Sequence, residues 1–252
     1  MDLSETSIIV PHSGMQRTVG SPGPKLSVVS GQVHMALVGF VHPDPEHGRY
    51  YVNVIRRLVS YGLVVHSHLH EAPGVSNQLY RNLAAEHADY HCHPTLPNRE
   101  GTRLSQTISR YDLMGVLHEM EASKLNESAV LEVCMPSKAV CGWLHGGIPV
   151  VCFSHYRGIV ECIRECGIGF VIDDWRDIKG IAANRAALAH ATKACLQQRY
   201  RFTHEWNARR VMAFFEQLIA SASDGDTSSP KADSAVQMTA LGLCVEADRD
   251  DS

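Results

Sequence analysis

Residues 135–153, MPSKAVCGWLHGGIPVVCF, read as a short helix, a pair of glycines and a buried strand. Pro136 suits the first turn of a helix, where its missing N–H costs no hydrogen bond. Ser137 is a residue type that caps the exposed amides of that turn. Lys138 adds a full positive charge on a flexible stem, beside amides that already favour an anion. Gly146 and Gly147 are expected to release the chain from the helix with positive φ. Ile148-Pro149-Val150-Val151 then run straight into the core as a strand.

The same unit recurs on either side. VHMALVGFV (33–41), LVVHSHLH (63–70), YHCH (90–93), LMGVLH (113–118) and IGFVID (168–173) read as further strands. Between them lie helical patterns. Tyr51, Val54, Ile55, Leu58 and Val59 fall at helical spacing, and Gly62 closes that helix. SNQLYRNLAAEHAD (76–89) opens on Ser76 as an N-cap, NREGTRLSQTISRYD (98–112) is a third helix and YRGIVECIRECG (156–167) a later one. Two helices, 181–198 and 203–221, finish the fold; Val211, Phe214, Phe215, Leu218 and Ile219 give the last an apolar stripe. Strand and helix alternate about six times and the strands are short apolar runs, as expected when both faces are covered. The pattern predicts an α/β fold, a doubly wound parallel sheet in a single Rossmann-like domain, with ligands at the carboxyl ends of the strands.

Three segments follow. Residues 1–30 form an irregular lead-in, a linker remnant with one strand-like piece at Ile8-Ile9-Val10. Residues 31–222 are the domain. Residues 223–252, rich in Ser, Asp and Gly and poor in apolar residues, read as a disordered tail.

With 252 residues and 44% hydrophobic content, the chain can bury a full core. A net charge of -4 and the absence of a long basic block argue against nucleic acid as a partner. No apolar run has the length of a transmembrane segment, and the first residues lack a basic-then-apolar signal. The eight cysteines are scattered, several inside apolar runs, which suits a reducing, cytoplasmic setting better than a disulfide framework.

The order YDLMGVLHEM, MPSKAVCGWLHGGIPVVCF and GIVECIRECGIGFVIDD resembles the C-terminal half of the twin-Rossmann nucleotide-sugar glycosyltransferases. The matching pieces are Tyr111-Asp112, Pro136-Ser137-Lys138, Gly147-Ile148-Pro149-Val150 and Gly167-Ile168-Gly169-Phe170-Val171. YRFTHEWNARRVMAFFEQL (200–218) resembles that group's closing helices, and the whole match covers about residues 33–221. The resemblance implies half of a two-domain glycosyltransferase fold that binds a nucleoside diphosphate sugar and transfers a hexose-type sugar. It implies no further cofactor and no metal. The donor-binding residues it implies are Gly39, for close backbone approach, Glu119, for sugar hydroxyls, Ser137 and Lys138, for the diphosphate, and the hinge glycines Gly146 and Gly147. No residue stands out as a nucleophile or base.

Three features depart from the family pattern. Where the family carries a ribose-binding glutamate, five residues before the glycine of its G-x-P motif, this chain has Gly142; each lost charge-assisted bond is worth about 1.5–3 kcal/mol. Gly39 is followed by Phe40 rather than a basic residue, and the family's Lys-Gly pair is matched only by His47-Gly48. The pattern is expected to supply a single Rossmann half, so the resemblance implies either a fragment of a longer enzyme or a separate N-terminal-type domain or subunit as partner. The alternative expectation is a non-catalytic partner or regulatory module that keeps the fold.

Other chemistry is less well supported. His66, His68 and His70 share one face of a strand, and His91 and His93 do so on another, which raises zinc with an open position. No acidic ligand set accompanies them. No Gly-x-Ser-x-Gly elbow and no Gly-x-Gly-x-x-Gly turn occurs, against a serine hydrolase and a dinucleotide enzyme.

Overall fold

A computed structural model describes residues 13–41, 50–70, 77–96, 101–117 and 136–223. Six strands, β1 (His34–Phe40), β2 (Val64–His70), β3 (Tyr90–His93), β4 (Leu113–Val116), β5 (Val150–Phe153) and β6 (Gly169–Ile172), form one sheet. Its order is β3-β2-β1-β4-β5-β6 and its pairings are parallel. The chain winds outward in one direction from β1 and in the other from β4. That reversal makes the β1–β4 seam the topological switch point, beside which doubly wound sheets generally bind their ligands.

Helices α2 (Val52–Ser60) and α3 (Gln78–Glu86) bury their apolar stripes on one face. There Val54, Ile55, Leu58, Tyr80 and Leu83 meet Met35, Leu37, Val65 and Leu69. The opposite face receives α4 (Gly101–Ile108), α5 (Ser137–Val140) and α6 (Arg157–Cys166), with Trp143, Leu144, Ile159 and Ile163 against Met114, Val116, Val150 and Cys152. Alternation along each strand sends successive side chains to the two cores. The expected doubly wound α/β sheet is present, with its strands where the apolar runs placed them.

Some details differ from the expectations. The stretch read as one helix over 181–198 is two, α7 (Asp177–Ala183) and α8 (Arg185–Gln198). Asn184 separates them because its side chain accepts the N–H of Ala187 at 3.0 Å, which caps a new helix. The last helix, α9, runs His204–Ser223. The described part of the lead-in, residues 13–30, is irregular apart from a short turn and the four-residue helix α1 (Ser27–Ser30), and it is bonded to the domain. Gly14 donates to Phe202 O at 3.0 Å and accepts from His204 N at 2.8 Å, while Leu26 donates to Arg110 O. Ile8-Ile9-Val10, Ser76 and the tail from residue 224 lie outside the described residues.

The quoted helix is also not uniform. Pro136 is the N-cap, with ψ 137°, rather than a member of the first turn. Ser137 opens the helix instead of capping it. After α5 the backbone widens to a π-helical segment, Cys141–Gly146, closed by the N–H of Gly147 on Gly142 O. Trp143 anchors this segment by donating its indole N–H to Ile168 O at 2.8 Å, and its ring stacks on Phe202.

Candidate functional site

Of the residues that the sequence singles out, Gly39, Ser137 and Lys138 lie at the carboxyl rim of the sheet. Helix α2 starts on this rim after β1, α3 after β2, and α5 in the crossover from β4 to β5. Lys138, in the first turn of α5, reaches across the switch point to α2. Its ammonium donates to the Tyr51 hydroxyl at 2.8 Å and lies 5.4 Å from the centre of the Tyr51 ring. Tyr51 is itself held, its backbone N–H donating to the hydroxyl of Tyr80 on α3 at 3.0 Å. Burial pushes the Tyr80 phenol up to about 12, so it stays protonated. The starts of three helices are therefore tied together through Lys138, Tyr51 and Tyr80. No local pattern signals this tie. Tyr51 had the signature of a plain apolar position on α2, and its partner is 87 residues away.

Gly39 lies on the same rim, one residue from the end of β1. Its φ of 122° is a conformation for glycine, and among the described residues nothing lies within 4 Å of where a Cβ would be. Next to it the Phe40 ring stacks on His70, with centroids 4.4 Å apart. Among the described residues, Asn77 Oδ1, just before α3, and His155 Nε2, just after β5, are buried without a hydrogen-bond partner. Buried groups of that kind ordinarily find a partner. Burial holds the His155 imidazole below its ordinary pKa.

The other expected residues divide. Ser137 is exposed at the rim beside Lys138. Glu119 lies outside the described residues, as do His47 and Gly48. Gly146 and Gly147 belong to the opposite edge. They stand about nine residues, or about 13 Å of helix, from Lys138, and they lead into the amino end of β5. Only Gly147 has positive φ, 56°, and so is the hinge. Gly146 is needed for close packing, since a Cβ there would sit 2.6 Å from Ile108 Cγ2. Neither glycine is placed to touch a ligand at the Lys138 rim. Gly142 is buried against β4 and β5, where a Cβ would meet Met114 Cβ at 2.9 Å and Val150 Cγ2 at 3.3 Å.

The histidines gather on the face of the sheet away from α2. His34 Nδ1 is 2.8 Å from His66 Nε2, and His66 Nδ1 is 2.9 Å from His93 Nε2. His68 Nε2 is 2.8 Å from the Tyr111 hydroxyl. Both ring nitrogens of His66 are thus engaged with other imidazoles. Among the described residues no group of three or more His, Cys, Asp or Glu side chains is arranged to hold a metal ion. Burial, reinforced by neighbouring imidazoles, lowers His66 to about 2 and His68 to about 4.

No protein-family model matches the chain, and no curated protein matches it. Solved structures do. Sucrose-phosphate synthase from Thermosynechococcus elongatus aligns with a TM-score of 0.55 at 13% identity, covering 84% of this chain and 52% of the synthase. The likeness is one of fold. A mutant O-GlcNAc transferase from Thermobaculum terrenum gives 0.49 at 14% identity, over 83% of this chain and 39% of the transferase. A lipopolysaccharide outer core galactosyltransferase gives 0.48 at 14% identity, over 86% and 56%. The chain therefore spans about half the length of these structures, and its sheet is the Rossmann-like half-unit found within the synthase. Among the described residues no helix is long and apolar enough to cross a membrane.

Proposed function

We propose that this chain is the donor-binding half of a glycosyltransferase-type enzyme. A nucleoside diphosphate sugar lies at the carboxyl rim, over the β1–β4 switch point. Lys138 neutralises the diphosphate, Gly39 admits it close to the backbone, and the amides at the start of α5 contribute donors. Transfer of the hexose-type sugar to an acceptor requires a second half, supplied by another domain or subunit, and departure of the nucleoside diphosphate is assisted by fixed charge rather than by a metal. The observation that carries this reading is the Lys138 ammonium held across the switch point by Tyr51. The test is calorimetric titration of the chain with uridine and guanosine diphosphates, repeated on Lys138→Ala. Saturable binding that the variant loses supports the proposal; binding that survives unchanged in Lys138→Ala overturns the role of Lys138.

A second reading is favoured by Gly142. Its packing leaves no room for a side chain where the resembling family has its ribose carboxylate. On that reading the domain is a non-catalytic partner module, and every nucleotide titration is flat.

A further inference from the structure

Ser30, His34, His66 and His93 are hydrogen-bonded in series across β1, β2 and β3. Ser30 Oγ lies 2.7 Å from His34 Nε2, and the two imidazole–imidazole links follow at 2.8 and 2.9 Å. A neutral imidazole has one donor and one acceptor. All the ring donors must therefore point toward Ser30, or all toward His93. No ring can change its tautomer alone.

One extra proton fits this arrangement. Whichever ring takes it donates on both sides, and the other two reorient to accept. A second proton does not fit. Two neighbouring imidazoliums would set N–H against N–H. Charged outer rings would ask His66 to accept on both sides, and a neutral ring cannot. Any second proton breaks a link.

We infer that His34, His66 and His93 form a single proton-binding unit that takes one proton with its links intact and, on taking a second, releases His93 from the sheet face and loosens edge strand β3.

The surroundings decide where the protons go. His34 faces Asp112, whose Oδ2 accepts its backbone N–H at 2.8 Å, and also feels Asp89; Arg185 on α8 and His91 oppose charge there. Lys25 lies near Asp112 and is itself lowered by burial to about 8. His66 is ringed by His34, His68, His91 and His93, all of which oppose charge on it. His93 faces His91 and Arg110, both opposing. His68 feels His93 and the Pro94 carbonyl. Tyr111 beside His66 and His68 brings no charge, because burial raises its phenol to about 12. The carboxylates are gathered at the Ser30 end, so the first proton settles on His34. His34 and His66 are buried, whereas His93 is half-buried on an edge strand and can swing into water. Burial holds all three below the ordinary histidine pKa, so both steps belong to acid conditions.

The test is nitrogen-resolved NMR of the imidazoles in the full chain, with amide hydrogen exchange, from pH 7.5 to 4.5. All three rings are expected to change together in a first step. In the second step, exchange at Tyr90–His93 should rise beyond its intrinsic pH dependence by on the order of tenfold per pH unit. His93→Gln, at a half-exposed site, should lose that second step. Independent titration of the three rings, or the same β3 exchange profile in His93→Gln as in the unmodified chain, overturns the inference.

Discussion

Gly142 is pressed against Met114 so closely that a Cβ at position 142 would lie 2.9 Å from the Met114 Cβ. The π-helical segment can seat on β4 only because that position has no side chain. Gly142→Ala should therefore destabilise the fold by about 1–3 kcal/mol, the usual cost of overpacking a core. Gly142→Glu should cost more, because it also buries a carboxylate, and it should gain no nucleotide affinity. Urea unfolding of both variants, with calorimetry on the second, checks this. A stable Gly142→Glu chain that binds nucleotide would mean the segment is seated differently.

Tyr51→Phe isolates the hydroxyl that receives Lys138 and keeps the ring beneath the ammonium. The loss of one hydrogen bond to a charged group should lower stability by about 1.5 kcal/mol or less, because the ammonium can still reach water. Lysine has three N–H donors, so the tyrosine and a phosphate can be served together. If diphosphate binds here, the variant should bind it about fivefold more weakly through poorer positioning of Lys138. Calorimetry at constant ionic strength gives the comparison. Tighter binding in Tyr51→Phe would show that the tyrosine competes with the ligand instead of aiming the lysine.

The sheet was legible because its information is local. Short apolar runs separated by helical patterns place β1, β2, β4, β5 and β6, and alternation puts His66 and His68 on one face. What was missed depends on partners far apart in the chain. Lys138 is a charged residue near a helix start, but only the fold brings Tyr51 beneath it. Two adjacent glycines look alike in sequence, yet Gly147 serves backbone conformation and Gly146 serves packing against Ile108. The widening at Cys141–Gly146 has no local signature, since it follows from Gly142 and Trp143 settling on different strands. The histidine series could not be read either, because it needs the β1–β2–β3 register that pairs Ala36 with His66 and His68 with His93.

The two costs of replacing Gly147 can be separated. A Cβ there would lie 2.4 Å from Leu196 Cδ2, and the backbone is left-handed. Gly31 is also left-handed, with φ 75°, but has open space around it. Gly31→Ala should cost only the conformational part, about 1–2 kcal/mol. Gly147→Ala should cost more. Adding Leu196→Ala to it should recover the clash and leave a penalty close to that of Gly31→Ala. A double-mutant cycle by chemical denaturation measures the recovery. Strict additivity between positions 147 and 196 would place the strain elsewhere.

Acid should unfold this protein through its histidines before its carboxylates. His34, His66, His68 and His93 all have pKa values below the ordinary 6.5, with burial the first cause, and those of His66 and His68 reach about 2 and about 4. A base lowered in this way binds protons in the unfolded chain before it does so in the fold. Above pH 6.5 the rings are neutral in both states and their contribution to stability is fully present. As pH falls below 6.5 the unfolded chain gains protons that the fold refuses, and stability drops. For His68 the loss ends near pH 4; for His66 it continues toward pH 2. Counting those two rings alone, the slope below pH 6 should approach about 2.7 kcal/mol per pH unit. Asp174, held at about 2 by Arg176, and the lowered Glu205 act in the same direction, but only below the ordinary carboxylate range. The window from pH 6.5 to 5 therefore belongs to the imidazoles. Urea midpoints taken at half-unit steps should be flat above pH 6.5 and fall steadily below it, and His68→Gln should make that fall shallower. A midpoint that holds constant down to pH 5 would mean that these rings are already wet in the native state.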